Sequence, residues 1–159
     1  MPLLYEPPFS RLIGEFKFRH RLHLTASLSA LFCSTLPADL PRPDLLLPVP
    51  LHPDRLRERG FNQSLELARR IAGELDLELD WRRLRRVRAT PPQSRLDRRA
   101  RRRNLHAAFS ADGAVKGRHI ALLDDVITTG ATVTAASLAL LRAGAKQIDV
   151  WALARTPLP

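Results

Sequence analysis

Ile120-Ala121-Leu122-Leu123-Asp124-Asp125-Val126-Ile127-Thr128-Thr129-Gly130-Ala131-Thr132 is the stretch that decides the fold of this 159-residue chain. Four apolar residues lead into two adjacent acids, and a turn of small hydroxylated residues and glycine follows. The apolar run predicts a buried strand over His119 to Asp125. The pattern after it predicts a helix over Ala131 to Ala143, stopped by Gly144, and then a strand over Gln147 to Ala154. Strand, helix and strand in this span form a right-handed unit with parallel strands. The carboxyl edge of such a sheet is where ligands of open α/β folds bind. Asp124 and Asp125 emerge there as hydrogen-bond acceptors. The first N–H groups of the following helix have no intrahelical partner and point at the turn, so with the helix dipole they make a phosphate cup. Gly130 allows the sharp turn and a close approach by a ligand.

One end of this loop therefore wants a phosphate, and the other offers two carboxylates to a pair of sugar hydroxyls. A ribose 5-phosphate satisfies both. The stretch resembles the motif for phosphoribosyl diphosphate (PRPP) in type I phosphoribosyltransferases. The resemblance implies that fold: α/β, a mostly parallel sheet flanked by helices. It also implies roles. Asp124 and Asp125 would be catalytic, bind the ribose hydroxyls and help place Mg²⁺ through the substrate. Val126, Ile127, Thr128, Thr129, Gly130, Ala131 and Thr132 would hold the 5-phosphate. The family reaction displaces diphosphate at the anomeric carbon by a nitrogen nucleophile.

Upstream, Leu45 to Val49 reads as a second buried strand. Pro50 to Gly60 reads as a loop, and Phe61 to Leu75 as an amphipathic helix with Asn62 as N-cap. In the type I fold the first such loop cups the diphosphate, which implies that role for Pro50, Leu51, His52, Arg55 and Arg59. Residues 8 to 35 read as helical with a break near His20 to His23. Leu36 to Pro43 is a connection. A strand is expected over Leu77 to Val87, a break at Ala89 to Gln93, a very basic helix over Arg95 to Leu105, and a short strand at Phe109. The whole is expected to be one domain, 1–159, with a helical, hood-like segment 1–43 and a core 44–159.

The formal charge is +10, with arginine supplying nearly all of the cations. That balance favours anionic partners, and arginine's planar fork suits phosphate. The block containing Arg95, Arg98, Arg99, Arg101 and Arg102 occupies the place of the mobile loop that closes over the reaction centre in type I enzymes. A cationic lid there would neutralise diphosphate. A contact surface for single-stranded nucleic acid is an equally physical reading. No GxxxxGK[ST] pattern occurs, and His20, His23, His52, His106 and His119 fall into no metal-ligand spacing. No apolar run is long enough to cross a bilayer, and the N-terminus lacks a signal-peptide pattern, so a cytoplasmic protein without membrane insertion is expected.

Several further segments resemble the ComF family, phosphoribosyltransferase-like proteins linked to natural competence and DNA uptake. They are Tyr5 with Phe16-Lys17-Phe18, Pro48-Val49-Pro50-Leu51-His52, Arg57-Glu58-Arg59-Gly60-Phe61-Asn62-Gln63, Thr90-Pro91-Pro92-Gln93, Arg101-Arg102-Arg103-Asn104-Leu105 and Leu153-Ala154-Arg155-Thr156-Pro157. The resemblance implies single-stranded DNA and DNA-uptake proteins as partners. That family commonly carries an N-terminal zinc module with CxxC pairs. Cys33 is the only cysteine here, so no zinc is expected in this chain, as in a short version or one whose coding start is placed late. Two alternatives stand beside a competence role: a purine or pyrimidine salvage transferase, and a non-catalytic PRPP sensor that contacts single-stranded DNA.

Overall fold

A computed structural model describes residues 3–18, 24–88 and 108–157. The elements in chain order are β1 (Leu3–Leu4), α1 (Phe9–Phe18), α2 (Leu24–Ser34), β2 (Leu45–Pro48), α3 (Pro53–Arg59), α4 (Gln63–Leu75), β3 (Leu84–Arg86), β4 (Phe109–Ala111), β5 (His119–Ile127), α5 (Ala131–Arg142) and β6 (Gln147–Arg155). Four strands form one sheet in the order β1-β6-β5-β2, all parallel. β3 and β4 form a separate antiparallel pair.

The central strand shows why the apolar run is continuous. Ile120 and Leu122 face a core built with Leu45, Leu47, Leu84, Phe109, Val133 and Leu140. Ala121 and Leu123 face the other core, with Phe32, Leu67, Ile71 and Trp151. Both faces of β5 are covered, so alternation of apolar and polar residues disappears. α2 and α4 cover one face of the sheet, and α5 with the β3–β4 pair covers the other. Ile13 of α1 is fully buried in the first of these layers, and β1 pairs with β6, so β1, α1 and α2 join the same core as the later elements.

The expected βαβ unit is present, with β5 running two residues further than expected, to Ile127. Asn62 caps α4, accepting from Ser64 N–H at 3.0 Å. Two expectations need correction. Pro50 to Gly60 is not all loop, because Pro53–Arg59 is helical. Proline suits a first turn, His52 accepts from Asp54 N–H, and Gly60 closes the helix at φ +78°. Arg57 with Asp54 and Arg55 with Glu58 are paired one turn apart. Leu77 to Val87 is not one strand either. Leu79 makes a single parallel bridge to Leu46, and β3 begins only at Leu84. Between them Asp80 accepts from Arg82 N–H at 2.7 Å and pairs with Arg83, which turns the chain.

The break at His20 to His23, the break at Ala89 to Gln93 and the basic helix over Arg95 to Leu105 lie outside the described residues. Among the described residues no helix is long and apolar enough to cross a membrane.

Candidate active site

The site lies where β5 ends. Past Leu123 the inward alternation changes phase: Val126 packs into the α2–α4 core and Ile127 into the α5 core. The acid pair sits at that change. Asp124 Oδ1 accepts from Asp125 N–H at 2.9 Å, and Asp125 Oδ1 accepts from Val126 N–H at 2.6 Å. Each carboxylate is thus held by the peptide that follows it. Asp125 is only 8% exposed and Asp124 is half-buried.

Asp124 also accepts from Ser64 Oγ at 3.2 Å, which ties the first turn of α4 to the acid pair. Each acid has an arginine near it. The charge of Asp125 acts on Arg59, and that of Asp124 on Arg86. Burial, then the neighbouring Arg55, pull the Arg59 guanidinium below its usual value, and Asp125 and Glu58 partly restore it. Burial lowers Arg86 in the same way, against the pull of Asp124. Arg86 also lies over the Phe109 ring at 5.6 Å.

Asp124, Val126, Ile127, Thr128, Thr129, Gly130, Ala131, Thr132 and Val133 line a small cup of about 30 Å³. Gly130 has φ +75° and opens α5 without a side-chain cap. Thr129 Oγ1 accepts from Ala131 N–H at 3.4 Å. The turn is anchored from behind by Thr156, whose N–H donates to Ile127 O at 2.9 Å and whose Oγ1 donates to Thr128 O at 3.2 Å. The lining is therefore hydroxyls and helix-start N–H groups, a donor set for phosphate.

The other expected residues fall in two groups. Pro50 and Leu51 leave the carboxyl end of β2 and His52 caps α3, on the same sheet edge. Arg59 turns toward the acids and donates to Gln63 Oε1 at 3.0 Å. Arg55 is exposed and paired with Glu58 at 3.0 Å, so it reaches the site through its field on Arg59 rather than by contact. Arg95, Arg98, Arg99, Arg101 and Arg102 lie outside the described residues. Sequence reasoning missed Ser64, Arg86 and Thr156. Ser64 follows a recognisable cap by two residues, a signal that could have been used. Arg86 had none, standing within a run of similar arginines. Among the described residues no three His, Cys, Asp or Glu side chains gather as a metal-holding group.

The phosphoribosyl transferase domain family matches residues 62–157. The DNA utilization protein YhgH of Salmonella typhi is 41% identical over 157 residues, spanning 96% of this chain and 69% of that protein. Competence protein F of Haemophilus influenzae is 35% identical over 159 residues, spanning 95% of this chain and 69% of that protein. The solved glutamine phosphoribosylpyrophosphate amidotransferase from B. subtilis superposes with a TM-score of 0.52 at 20% identity, over 82% of this chain and 25% of that chain. That last likeness speaks to the fold alone, which is the type I phosphoribosyltransferase fold. The chain belongs to the phosphoribosyl transferase domain family, in the group that holds competence protein F and the DNA utilization proteins.

Proposed function

We propose that this chain binds PRPP at the end of β5 and transfers its phosphoribosyl group, in the service of DNA uptake or utilisation. The observation that supports this most is that Asp124 lines the same cup as the Thr128–Thr132 turn. A 5-phosphate in the cup would put the ribose over the acid pair. The turn's N–H groups and threonine hydroxyls would take the phosphate oxygens. Asp124 and Asp125 would accept from the ribose hydroxyls. Arg59, and the peptides after β2 at Pro50 and Leu51, would face the diphosphate. As the bond from the anomeric carbon to diphosphate breaks and a bond to a nitrogen nucleophile forms, positive charge grows on the sugar ring. Two fixed carboxylates nearby favour that charge. A hard cation such as Mg²⁺ fits this oxygen-rich edge, where Asp124 and Asp125 would hold it through the substrate and it would add positive charge beside the leaving diphosphate.

Calorimetric titration of PRPP with Mg²⁺ tests the site. The double substitution Asp124→Asn, Asp125→Asn keeps the volume and removes both charges. It should weaken binding at least about tenfold, the effect of losing roughly 1.4 kcal/mol, with cooperative unfolding retained. Unchanged affinity in a folded double variant would sink the assignment.

The net charge of +10 favours a second activity beside the first: contact with single-stranded DNA. A screen of nitrogenous acceptors for diphosphate release separates an enzyme from a sensor. PRPP binding with no release from any acceptor would leave the non-catalytic reading standing.

A further inference from the structure

Trp81 lies on the surface, in the turn that separates Leu79 from β3. It is 44% exposed, although burying an indole is among the larger gains a fold can make. The guanidinium carbon of Arg82 stands 5.0 Å from its ring centroid and that of Arg69, from α4, stands 5.8 Å away. Arg82 is well within cation–π range and Arg69 close to its limit, so both guanidiniums rest over the ring, and they still leave Trp81 44% open to solvent. The acids close by are engaged elsewhere: Asp80 holds Arg83, and Glu78 holds Arg118. Neither Arg69 nor Arg82 has an ion-pair partner among the described residues. Arg70 and Arg85 are exposed beside them in sequence.

We propose that Arg69, Trp81 and Arg82 form a stacking platform for one base of a single-stranded DNA, with the two guanidiniums taking the phosphates on either side of it. This rests on the DNA-contact reading above and gives it a place. An exposed indole offers a flat π-face, which every base can use. The two arginines supply charge complementarity to the backbone and can also stack. Duplex DNA presents no free base face, so the platform distinguishes single strands from duplexes. A protein partner would also accept an exposed tryptophan, but the surrounding excess of unpaired cations favours a polyanion.

The test uses the full chain and a labelled oligothymidylate, with anisotropy read at several salt concentrations, and the same sequence as a duplex. Trp81→Ala should weaken single-strand binding by about 5- to 150-fold, leave duplex binding in place and leave the salt slope unchanged. Trp81→Phe should keep most of the affinity. Arg69→Gln with Arg82→Gln should flatten the single-strand slope by roughly 0.7 for each phosphate that is no longer neutralised. Oligothymidylate should quench the emission of Trp81, while buried Trp151 continues to emit. If the parent binds single strands and Trp81→Ala binds them equally well, the platform is wrong and DNA contact lies elsewhere. An equal loss of single-strand and duplex binding would mean that Trp81 only supports the local fold, which also overturns the platform. A parent that binds no single strand at low salt overturns both the platform and the DNA reading, and points to a protein partner at this surface.

Discussion

Cys33 is set apart from the candidate chemistry. It lines an open cavity of about 280 Å³ with Leu36, Leu40, Arg42, Leu75, Leu77 and Trp151, and shares no lining residue with the cup at the end of β5. Burial, then the Glu74 carboxylate beside it, push its thiol up to about 11. A thiol is reactive only as thiolate. Near neutral pH, iodoacetamide should therefore modify Cys33 roughly 100-fold more slowly than an ordinary free thiol. The sign of the pH dependence follows. The rate should keep climbing as pH rises from about 10 to 11, where an ordinary thiol has already levelled off. A rate equal to that of glutathione near neutral pH would contradict the burial of this sulfur. The same contrast bears on the acids. Asp124 and Asp125 were legible in the sequence as an adjacent pair, because a strand that ends in two carboxylates needs a reason. Their unequal burial was not, because it depends on which elements pack around the end of β5 in the folded chain.

Helix α4 links the two halves of the site, and it does so through its first turn. Asn62 accepts from Ser64 N–H and donates from Nδ2 to Val49 O at 3.1 Å, so one side chain fixes both the helix start and the exit of β2. Ser64 then reaches Asp124. Asn62→Ala should destabilise the fold by about 1–2 kcal/mol, the cost of an N-cap that also satisfies a carbonyl. It should weaken PRPP binding as well, because Arg59 and Ser64 flank this cap. Urea unfolding and calorimetry on the same sample check both, and a stability loss with PRPP affinity untouched would separate the cap from the site. The cap was readable in advance because asparagine precedes an amphipathic run. Helix α3 was not, since seven mostly charged residues carry no apolar period. Its signals are the proline at its first position and the glycine after its last. The split of Leu77 to Val87 was hidden for a different reason. Asp80 turns the chain by binding its own neighbours, and a strand propensity summed over the window averages that turn away.

The molecule as a whole carries more positive charge than a compact body holds at no cost. A net charge of +10 repels itself, and salt screens that repulsion. Melting temperature should therefore rise with sodium chloride and, if the proposed cup takes phosphate, rise further with phosphate at equal ionic strength. Gly130→Val should abolish the phosphate-specific part. Its φ of +75° suits glycine, and although a Cβ there would meet nothing within 4 Å, the left-handed backbone strains a β-branched residue by about 1–3 kcal/mol. Equal melting shifts with phosphate and chloride in the parent would count against the cup. The sheet order has a consequence for how the chain is made. Among the described strands β6 is made after all the others, and it lies between β1, made before them, and β5. Leu3 and Leu4 must wait for Ala154 and Arg155 to be translated, a delay of about 8–30 s at ordinary elongation rates. The edge of β5 that β6 will cover stays unfinished while the chain from Ile127 to Arg155 is made, about 1–6 s at the same rates. A nascent chain stalled before Gln147 should be a client of ribosome-associated chaperones, and one released beyond Arg155 should not.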